Sequence, residues 1–320
     1  MKVFDSLDNL HITADTVVAL GNFDGIHRGH RELIQRSVKS ADAAGMKSAV
    51  FTFSNHPRNL LGKGQEVKNI LYPEDKIHIL ENLGVDYLFS IPFTKEIQEL
   101  SPVDFIDKLL IDHFHMKEAY CGYNFRFGKK AAGDVEALIR EGLKKGFGIH
   151  VMEPYLIDGE PVNSTMIRKL IESGHVDQCE KYLGRYYSIL GEVVVGNKLG
   201  KQLGFPTSNL IMDESMVAPP NGVYITYCVY DGKRYPSITN VGEKPTIGNY
   251  EKNVETHIFN FDYELYGKKI RVEFLKRTRE EVKFGSISQL SRQITEDCIN
   301  AKAYHFSTGM SEPRMIEDIV

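Results

Sequence analysis

The sequence predicts two folds in tandem: an α/β domain on a doubly wound parallel sheet, then a small antiparallel barrel or sandwich with one terminal helix. Three observations carry this. Short apolar runs alternate with amphipathic helical stretches five times in the first half, the pattern of βα units in a parallel sheet. After about Arg185 the apolar period shortens to two, and turn residues separate the runs. The chain has 320 residues, and at about 100–200 residues per domain it accommodates both folds. With 42% apolar and 26% charged residues it can bury a real core, which excludes disorder.

Val17–Leu20 is a short apolar strand ending at Gly21. A helical pattern follows from about Gly29 to Ala44, with Leu33, Ile34 and Val38 on one face. Ser48–Phe53 reads as the second strand. Pro73 opens a helix that turns Ile77, Leu80 and Leu83 inward and stops at Gly84. Tyr87–Ile91 is a strand, and Ser101-Pro102 caps and opens a helix through about His113. Glu118–Cys121 is a strand, Asp134–Lys145 a helix and Ile149–Met152 a strand, and a helix from Ser164 closes at Ser173-Gly174. Sheets of this kind bind ligands beyond the carboxyl ends of their strands, so the strand-to-helix loops are the ones to inspect.

Past Arg185, Ser188–Val195 is β-rich. Val223, Ile225, Tyr227 and Val229 alternate with Tyr224, Thr226, Cys228 and Tyr230, and Asp231-Gly232 then gives the strongest short hairpin signal. Glu255–Phe261 and Ile270–Leu275 alternate too. One convincing helix remains, about Ser286–Tyr304, and the last dozen residues read as a polar, frayed end. The domains are accordingly expected at 1–184 and 185–320.

The net charge is −4 and neither half is basic, which argues against a nucleic-acid-coating protein. The acidic start MKVFDSLDNLHITAD is no signal peptide, and no segment approaches the roughly 18 apolar residues of a membrane span. Cys121, Cys179, Cys228 and Cys298 are far apart with no C-x-x-C pair, as expected of reduced thiols without a zinc or disulfide framework. The expectation is a cytoplasmic protein, a monomer or weak homo-oligomer, with small-molecule partners and neither nucleic acid nor membrane.

Two segments carry chemistry. Gly21-Asn22-Phe23-Asp24-Gly25-Ile26-His27-Arg28-Gly29-His30 leaves the first strand and opens the first helix. Its glycines permit a tight turn and close approach of a ligand to the backbone. The helix start offers unpaired N–H groups and a positive dipole end, which suit phosphate. His27 and His30 are three apart, so both can face one anion. No G-x-x-x-x-G-K-[ST] exists in the chain, so this is not a Walker A loop. Metal binding by the pair is the lesser reading, since no third ligand is evident.

H-x-G-H after a first strand resembles the nucleotidyltransferase superfamily, and the longer string GNFDGIHRGH resembles the bacterial riboflavin kinase/FMN adenylyltransferase (FAD synthetase) family. Phe53-Ser54-Asn55-His56-Pro57, Gly122-Tyr123-Asn124-Phe125-Arg126-Phe127-Gly128 and Asn163-Ser164-Thr165-Met166-Ile167-Arg168 resemble further segments of that family. The resemblance implies that Gly21, Asn22, Phe23, Gly25, Gly29, Asn124, Ser164 and Thr165 contact ATP. It implies that His27, His30 and Arg168 hold the reacting phosphates, and that His56, Pro57, Phe125 and Phe127 contact flavin. The FMN phosphate is already an anionic nucleophile, so the implied chemistry is alignment with ATP and stabilisation of leaving pyrophosphate, with Mg²⁺. Lys129 and Lys130 are nearby cations, read as a solvated pair.

The second segment runs from Gly196 to Asn209. Gly196, Gly200 and Gly204 lie four apart with Lys198 and Lys201 between them, and such a loop can wrap a phosphate with backbone N–H groups. Thr207 and Asn209 are two apart, so in an extended chain their oxygens face the same way, and such donors suit Mg²⁺. G-K-Q-L-G-F-P-T-S-N resembles the riboflavin kinase motif of the same family, as do Gly222-Val223-Tyr224, Asn240–Thr246, Glu255-Thr256-His257, Leu265-Tyr266-Gly267 and the run Arg279, Glu281, Lys283, Phe284. The resemblance thus covers nearly the whole chain, in the family order. It narrows the second fold to a β-barrel and implies ATP contacts at Gly196, Gly200, Lys201 and Gly204, Mg²⁺ at Thr207 and Asn209, and flavin contacts at Arg279 and Glu281.

Here a base is needed, because the riboflavin 5′-hydroxyl is neutral; by family position it is Glu255. His257 shares its strand face and receives no role. The sequence departs from the family at Val195, Leu199, Lys201 and Ser208; lysine keeps charge but loses the bidentate fork of arginine. These departures leave open an adenylyltransferase with a weakened kinase barrel.

Overall fold

Six parallel strands make the first sheet: β1 (Lys2–Phe4), β2 (Thr16–Leu20), β3 (Lys47–Phe53), β4 (Tyr87–Ile91), β5 (Met116–Gly122) and β6 (Gly148–Met152). Their order in this computed structural model is β1-β4-β3-β2-β5-β6. The structure describes all residues except 9, 61, 63–65, 197, 198, 247, 248, 310, 311 and 316–320, with backbone alone over 244–246 and 249–251. The chain divides into two compact units, residues 1–67 with 71–163, and residues 68–70 with 164 onward.

In the first unit β2 is central, and successive strands run outward on one side through β3 and β4, on the other through β5 and β6. The loops after β2 and β5 therefore diverge at the point where the order reverses, the position at which open α/β sheets hold ligands. Side chains of β2 alternate between two cores. Val17 and Ala19 join Leu33, Ile34, Ile79 and Leu80, while Val18 and Leu20 join Phe51, Phe105 and Phe114.

The helices of this unit are α1 (Arg28–Ala44), α2 (Pro57–Leu60), α3 (Pro73–Asn82), α4 (Lys95–Glu99), α5 (Pro102–Asp104) and α6 (Val135–Lys145). Ser101 and Asp134 cap α5 and α6 with side-chain oxygens, as their residue types predict. The α-helix expected through His113 instead continues past Asp104 as a π-helix, Phe105–His113. Its buried positions, Phe105 and Ile106, Leu109 and Leu110, then Phe114, recur every four to five residues, which the wider turn keeps on one face. β1, with one buried residue, and the small hairpin β7 (Leu156–Ile157) and β8 (Glu160–Pro161) have no apolar period and escaped the sequence reading.

The second unit begins with α7 (Ser164–Glu172) and α8 (Cys179–Leu183), which pack with the barrel. The barrel strands are β9 (Tyr187–Val194), β10 (Ser208–Ile211), β11 (Gly222–Tyr230), β12 (Lys233–Thr246), β13 (Asn249–Ile258) and β14 (Lys269–Arg279), with short α9 (Leu199–Gln202) between β9 and β10. They are antiparallel in the order β11-β14-β9-β10-β13-β12, and β11 pairs again with β12 to close the barrel. Asp231 and Gly232 have φ of 49° and 71° between the paired Tyr230 and Lys233, the two-residue turn that Asp-Gly predicts.

β11 is buried on both faces over most of its length. Val223, Ile225 and Tyr227 pack with Cys298 and Ala301 of α10 (Ile287–Ser307), while Thr226 joins Ser237, Thr239 and Thr256 in a chain of buried hydroxyl hydrogen bonds. The end of the chain is not wholly frayed. β15 (Arg314–Met315) pairs with Lys233 and Arg234 on the open side of β12, an edge whose unpaired backbone groups accept another strand.

Candidate active sites

The loop from β2 into α1 bends through positive φ at Phe23 (44°), Gly25 (81°) and Ile26 (35°). Strain of this kind persists where the surroundings over-determine it, and here Phe23 and Ile26 are fully buried. The Phe23 ring packs inside the loop: it lies 3.0 Å from where a Cβ on Gly21 would stand and meets His30 edge-on at 5.1 Å.

His27 caps α1, and its Nδ1 accepts from the His30 backbone N–H at 3.3 Å. In the neutral ring the proton therefore sits on Nε2, a donor suited to an anion. The two rings stack at 3.6 Å. Burial, with His27 and Lys76 nearby, holds His30 well below its ordinary pKa of 6.5, so it is neutral at pH 7. His30 Nδ1 and the Arg31 Nε and Nη2 are buried without hydrogen-bond partners among the described residues. Orphaned donors at a helix start fit an anionic ligand. Sequence reasoning missed Arg31, since nothing local distinguishes it from a solvated helix arginine.

A cavity of about 630 Å³ opens beside this loop. It brings Gly21, Asn22, His56, Pro57, Phe125 and Phe127 together with Phe53, Phe93, Arg58 and Lys130. Phe125 and Phe127 are stacked at 5.6 Å, and Phe127 lies against Gly133, where a Cβ would stand 2.7 Å from its ring. Asn124 is exposed in the same loop, its Oδ1 3.3 Å from the position of a Cβ on Gly122. Lys129, read as solvated, pairs with Glu99 at 2.5 Å. Gly29 approaches Tyr155 closely, leaving no room for a side chain. Ser164, Thr165 and Arg168 lie on α7 in the second unit; Arg168 Nε donates to the Lys68 carbonyl at 2.7 Å.

The barrel carries the other site, a cavity of about 230 Å³ with Glu255, Thr207, Asn240, His257, Arg279, Glu281 and Asp297 among apolar walls from Leu203, Phe205, Phe284, Leu290 and Ile294. Strand register sets Asn209 and Asn240 directly across from Glu255 on its two sides. His257 Nδ1–H donates to the Pro206 carbonyl at 2.8 Å, tying the strand to the Gly-Phe-Pro-Thr segment, and burial lowers its pKa.

The glycines have steric reasons. A Cβ on Gly196 would stand 2.5 Å from the Asn209 side chain, and one on Gly200 would collide with the Phe205 carbonyl. Gly204 has φ of 86°. Of the positions that depart from the family pattern, Lys201 on α9 and Val195 are exposed, and Leu199 lines the cavity.

Arg279 is tied to the terminal helix. Its Nε and Nη2 donate to Asp297 at 2.7–3.1 Å and its Nη1 to the Glu280 carbonyl, and the side chain lines the cavity. Glu281 accepts from Asn221 Nδ2 at 3.1 Å. Asp297, 18 residues further on, gave no sequence signal.

Thr207 and Asn209, expected to hold Mg²⁺, carry a hydroxyl and an amide oxygen, donors of the kind that Mg²⁺ takes. Asn209 Nδ2 donates to Thr207 Oγ1 at 3.4 Å, so the two side chains are neighbours, and Gly196 leaves room for that of Asn209. No cluster of three His, Cys, Asp or Glu that could cage a metal occurs among the described residues, and a Mg²⁺ that keeps waters needs none.

Among the described residues no helix is long and apolar enough to cross a membrane. The family model described as FAD synthetase matches residues 10–166, and the one described as riboflavin kinase matches residues 183–305. The bifunctional riboflavin kinase/FMN adenylyltransferase of Bacillus subtilis is 36% identical over 297 residues, 91% of this chain and 93% of that protein. The Escherichia coli K12 protein of the same name is 30% identical over 316 residues, 98% of this chain and all of that one. A crystal structure from Streptococcus pneumoniae, named a macrolide-efflux protein, shares the fold with a TM-score of 0.85 at 28% identity, covering 94% of this chain and 98% of that one. With both units matched in order and the relatives covered nearly end to end, the chain belongs to the bifunctional riboflavin kinase/FMN adenylyltransferase family.

Proposed function

We propose that the barrel unit transfers the γ-phosphate of ATP to riboflavin with Glu255 as general base, and that the α/β unit joins the resulting FMN to the AMP part of a second ATP with His27 and His30 at the phosphates. Riboflavin to FMN to FAD is the sequence of reactions of the family. The observation that supports the assignment of residues is that each unit has its own cavity at its own motif: Gly21 and Asn22 with Phe125 and Phe127, and Glu255 with Thr207.

In the barrel, the 5′-hydroxyl loses its proton to Glu255 as its oxygen bonds to the γ-phosphorus and the bond to ADP breaks. Apolar walls hold the ring system and exclude water from the transfer. Bound at Thr207 and Asn209, Mg²⁺ would neutralise charge on the ATP phosphates. In the α/β unit the FMN phosphate oxygen attacks the α-phosphorus and pyrophosphate leaves, with no base required. His27, His30 and the first-turn N–H groups of α1 take up charge on the triphosphate; Arg168, on α7 of the second unit, is assigned to it on the family resemblance alone. His56, Pro57, Phe125 and Phe127 are assigned to the flavin of FMN, and Asn124, Ser164 and Thr165 to the nucleotide. The modules are taken to join near residue 184, and the chain is assigned to the cytoplasm as a monomer or weak homo-oligomer without a nucleic-acid partner.

The test is chromatographic product analysis with ATP, Mg²⁺ and either riboflavin or FMN. Glu255→Gln should abolish FMN formation and spare FAD formation from supplied FMN. His27→Ala/His30→Ala should do the reverse. Equal loss of both activities in either variant would refute the two-site division.

A further inference from the structure

Glu255 sits within an array of carboxamides on one barrel face. Asn209 and Asn240 oppose it across the ladder, and one step along the same face of β13 Asn253 lies between Ile211 and Gly242. Asn253 is 4% exposed, and its Nδ2 donates to Glu255 Oε1 at 2.7 Å. Its Oδ1 is buried with no hydrogen-bond partner among the described residues. A carboxamide retained for structure alone would satisfy both ends, because an unmet buried acceptor is costly. This one directs its amide donor to the carboxylate. Gly242 opposite it has no side chain, and a Cβ there would stand 3.1 Å from Glu281 Oε1.

We infer that Asn253 is a positioning residue that holds the Glu255 carboxylate at the angle from which it accepts the riboflavin hydroxyl proton. The inference rests on the reading of Glu255 as the base. The terminal torsion of a glutamate is broad and soft, so an unanchored carboxylate samples many orientations. A neutral amide donor fixes one oxygen without bringing a formal charge to the base; a lysine would bind it as an ion pair, and an aspartate would repel it.

The experiment is a double-mutant cycle in the full-length chain. Riboflavin phosphorylation is measured for Asn253→Ala, Glu255→Gln and the double variant, with FAD formation from supplied FMN as the check on folding. Asn253→Ala should lower kcat for FMN formation by about 10- to 100-fold, as expected when a reacting group is misplaced by about 1 Å. The riboflavin KM should stay within about twofold, because ground-state binding is not lost. The double variant should be no slower than Glu255→Gln alone. An additive loss, an effect on KM alone, or an unchanged kcat overturns the inference. If Asn253→Ala also loses FAD formation, Asn253→Leu, which keeps the volume and lacks the donor, replaces it in the same cycle with the same expected outcomes. Full FMN formation by Glu255→Gln would refute the base assignment itself; an inactive Glu255→Gln beside a fully active Asn253→Ala would refute the positioning role alone.

Discussion

Replacing Asp297 by alanine should loosen the kinase pocket without touching the reacting atoms. The Asp297 side chain is 8% exposed and that of Arg279 23%. Asp297 accepts from Arg279 at 2.7, 3.0 and 3.1 Å and from Gln293 Nε2 at 3.0 Å. Both members of the pair line the cavity with Leu290 and Ile294. Removing one partner of a buried ion pair costs about 3–5 kcal/mol, because a charge remains without its counterion. Partial exposure of Arg279 and its bond to the Glu280 carbonyl put the expectation at the lower end, about 3 kcal/mol. At about 2–4 °C per kcal/mol for a domain of this size, the barrel transition should fall by about 6–12 °C. The riboflavin KM should rise about tenfold, equivalent to about 1.4 kcal/mol of lost pocket preorganisation. FAD formation from supplied FMN should not change. Arg279→Ala/Asp297→Ala should be less damaging than the two single losses summed, since neither charge is then stranded. Calorimetry of the full chain and riboflavin saturation kinetics make the measurement. An unchanged melting temperature with an unchanged KM, or additive losses, would refute the reasoning.

His257 and His305 are both held below the ordinary value of 6.5 by burial, so the unfolded chain takes up their protons first. The stability of the barrel from keeping them neutral is complete above pH 6.5 and lost below it, at up to about 1.4 kcal/mol per pH unit for each histidine. Its melting temperature should fall between pH 7 and 5, and His305→Gln should flatten that slope; an unaltered slope contradicts the assignment. Gly232→Val should cost about 1–2 kcal/mol, because φ is 71° while the nearest atom to a new Cβ is 3.8 Å away, and both activities should survive. Gly128→Ala combines φ of 71° with a Cβ 2.9 Å from the Pro102 nitrogen, so FAD formation should fall while riboflavin phosphorylation persists; equal activity in both assays would show that this turn does not shape the first cavity.

Much of this was readable before any coordinates. The strand-to-helix loop at Gly21–His30 was legible because its glycines, its histidine spacing and the helix start are local features. The Asp-Gly hairpin was legible because a two-residue turn depends on the φ of its own residues. β1 was not, since one buried residue in three makes no period. The π-helix was not, since a few residues' difference in turn width is decided by the core against which Phe105 and Leu109 pack. Phe23 could be placed in the loop but not assigned to packing, because the burial of its ring depends on neighbours from other elements.

Local chemistry thus determined which residue types stand at which loops and the change from helix-rich to strand-rich texture, while the two flavin reactions came from the resemblance of those motifs to a family. The tertiary structure alone decided which polar groups are committed to one another. Arg279 meets Asp297 because α10 docks against the barrel. Asn253 is close to Glu255 in sequence, but its burial and its unmatched oxygen arise only when β13 is flanked by β10 and β12 in one register. A hydrogen bond's role depends on what else surrounds the donor and acceptor, and that environment is assembled from segments far apart in the chain.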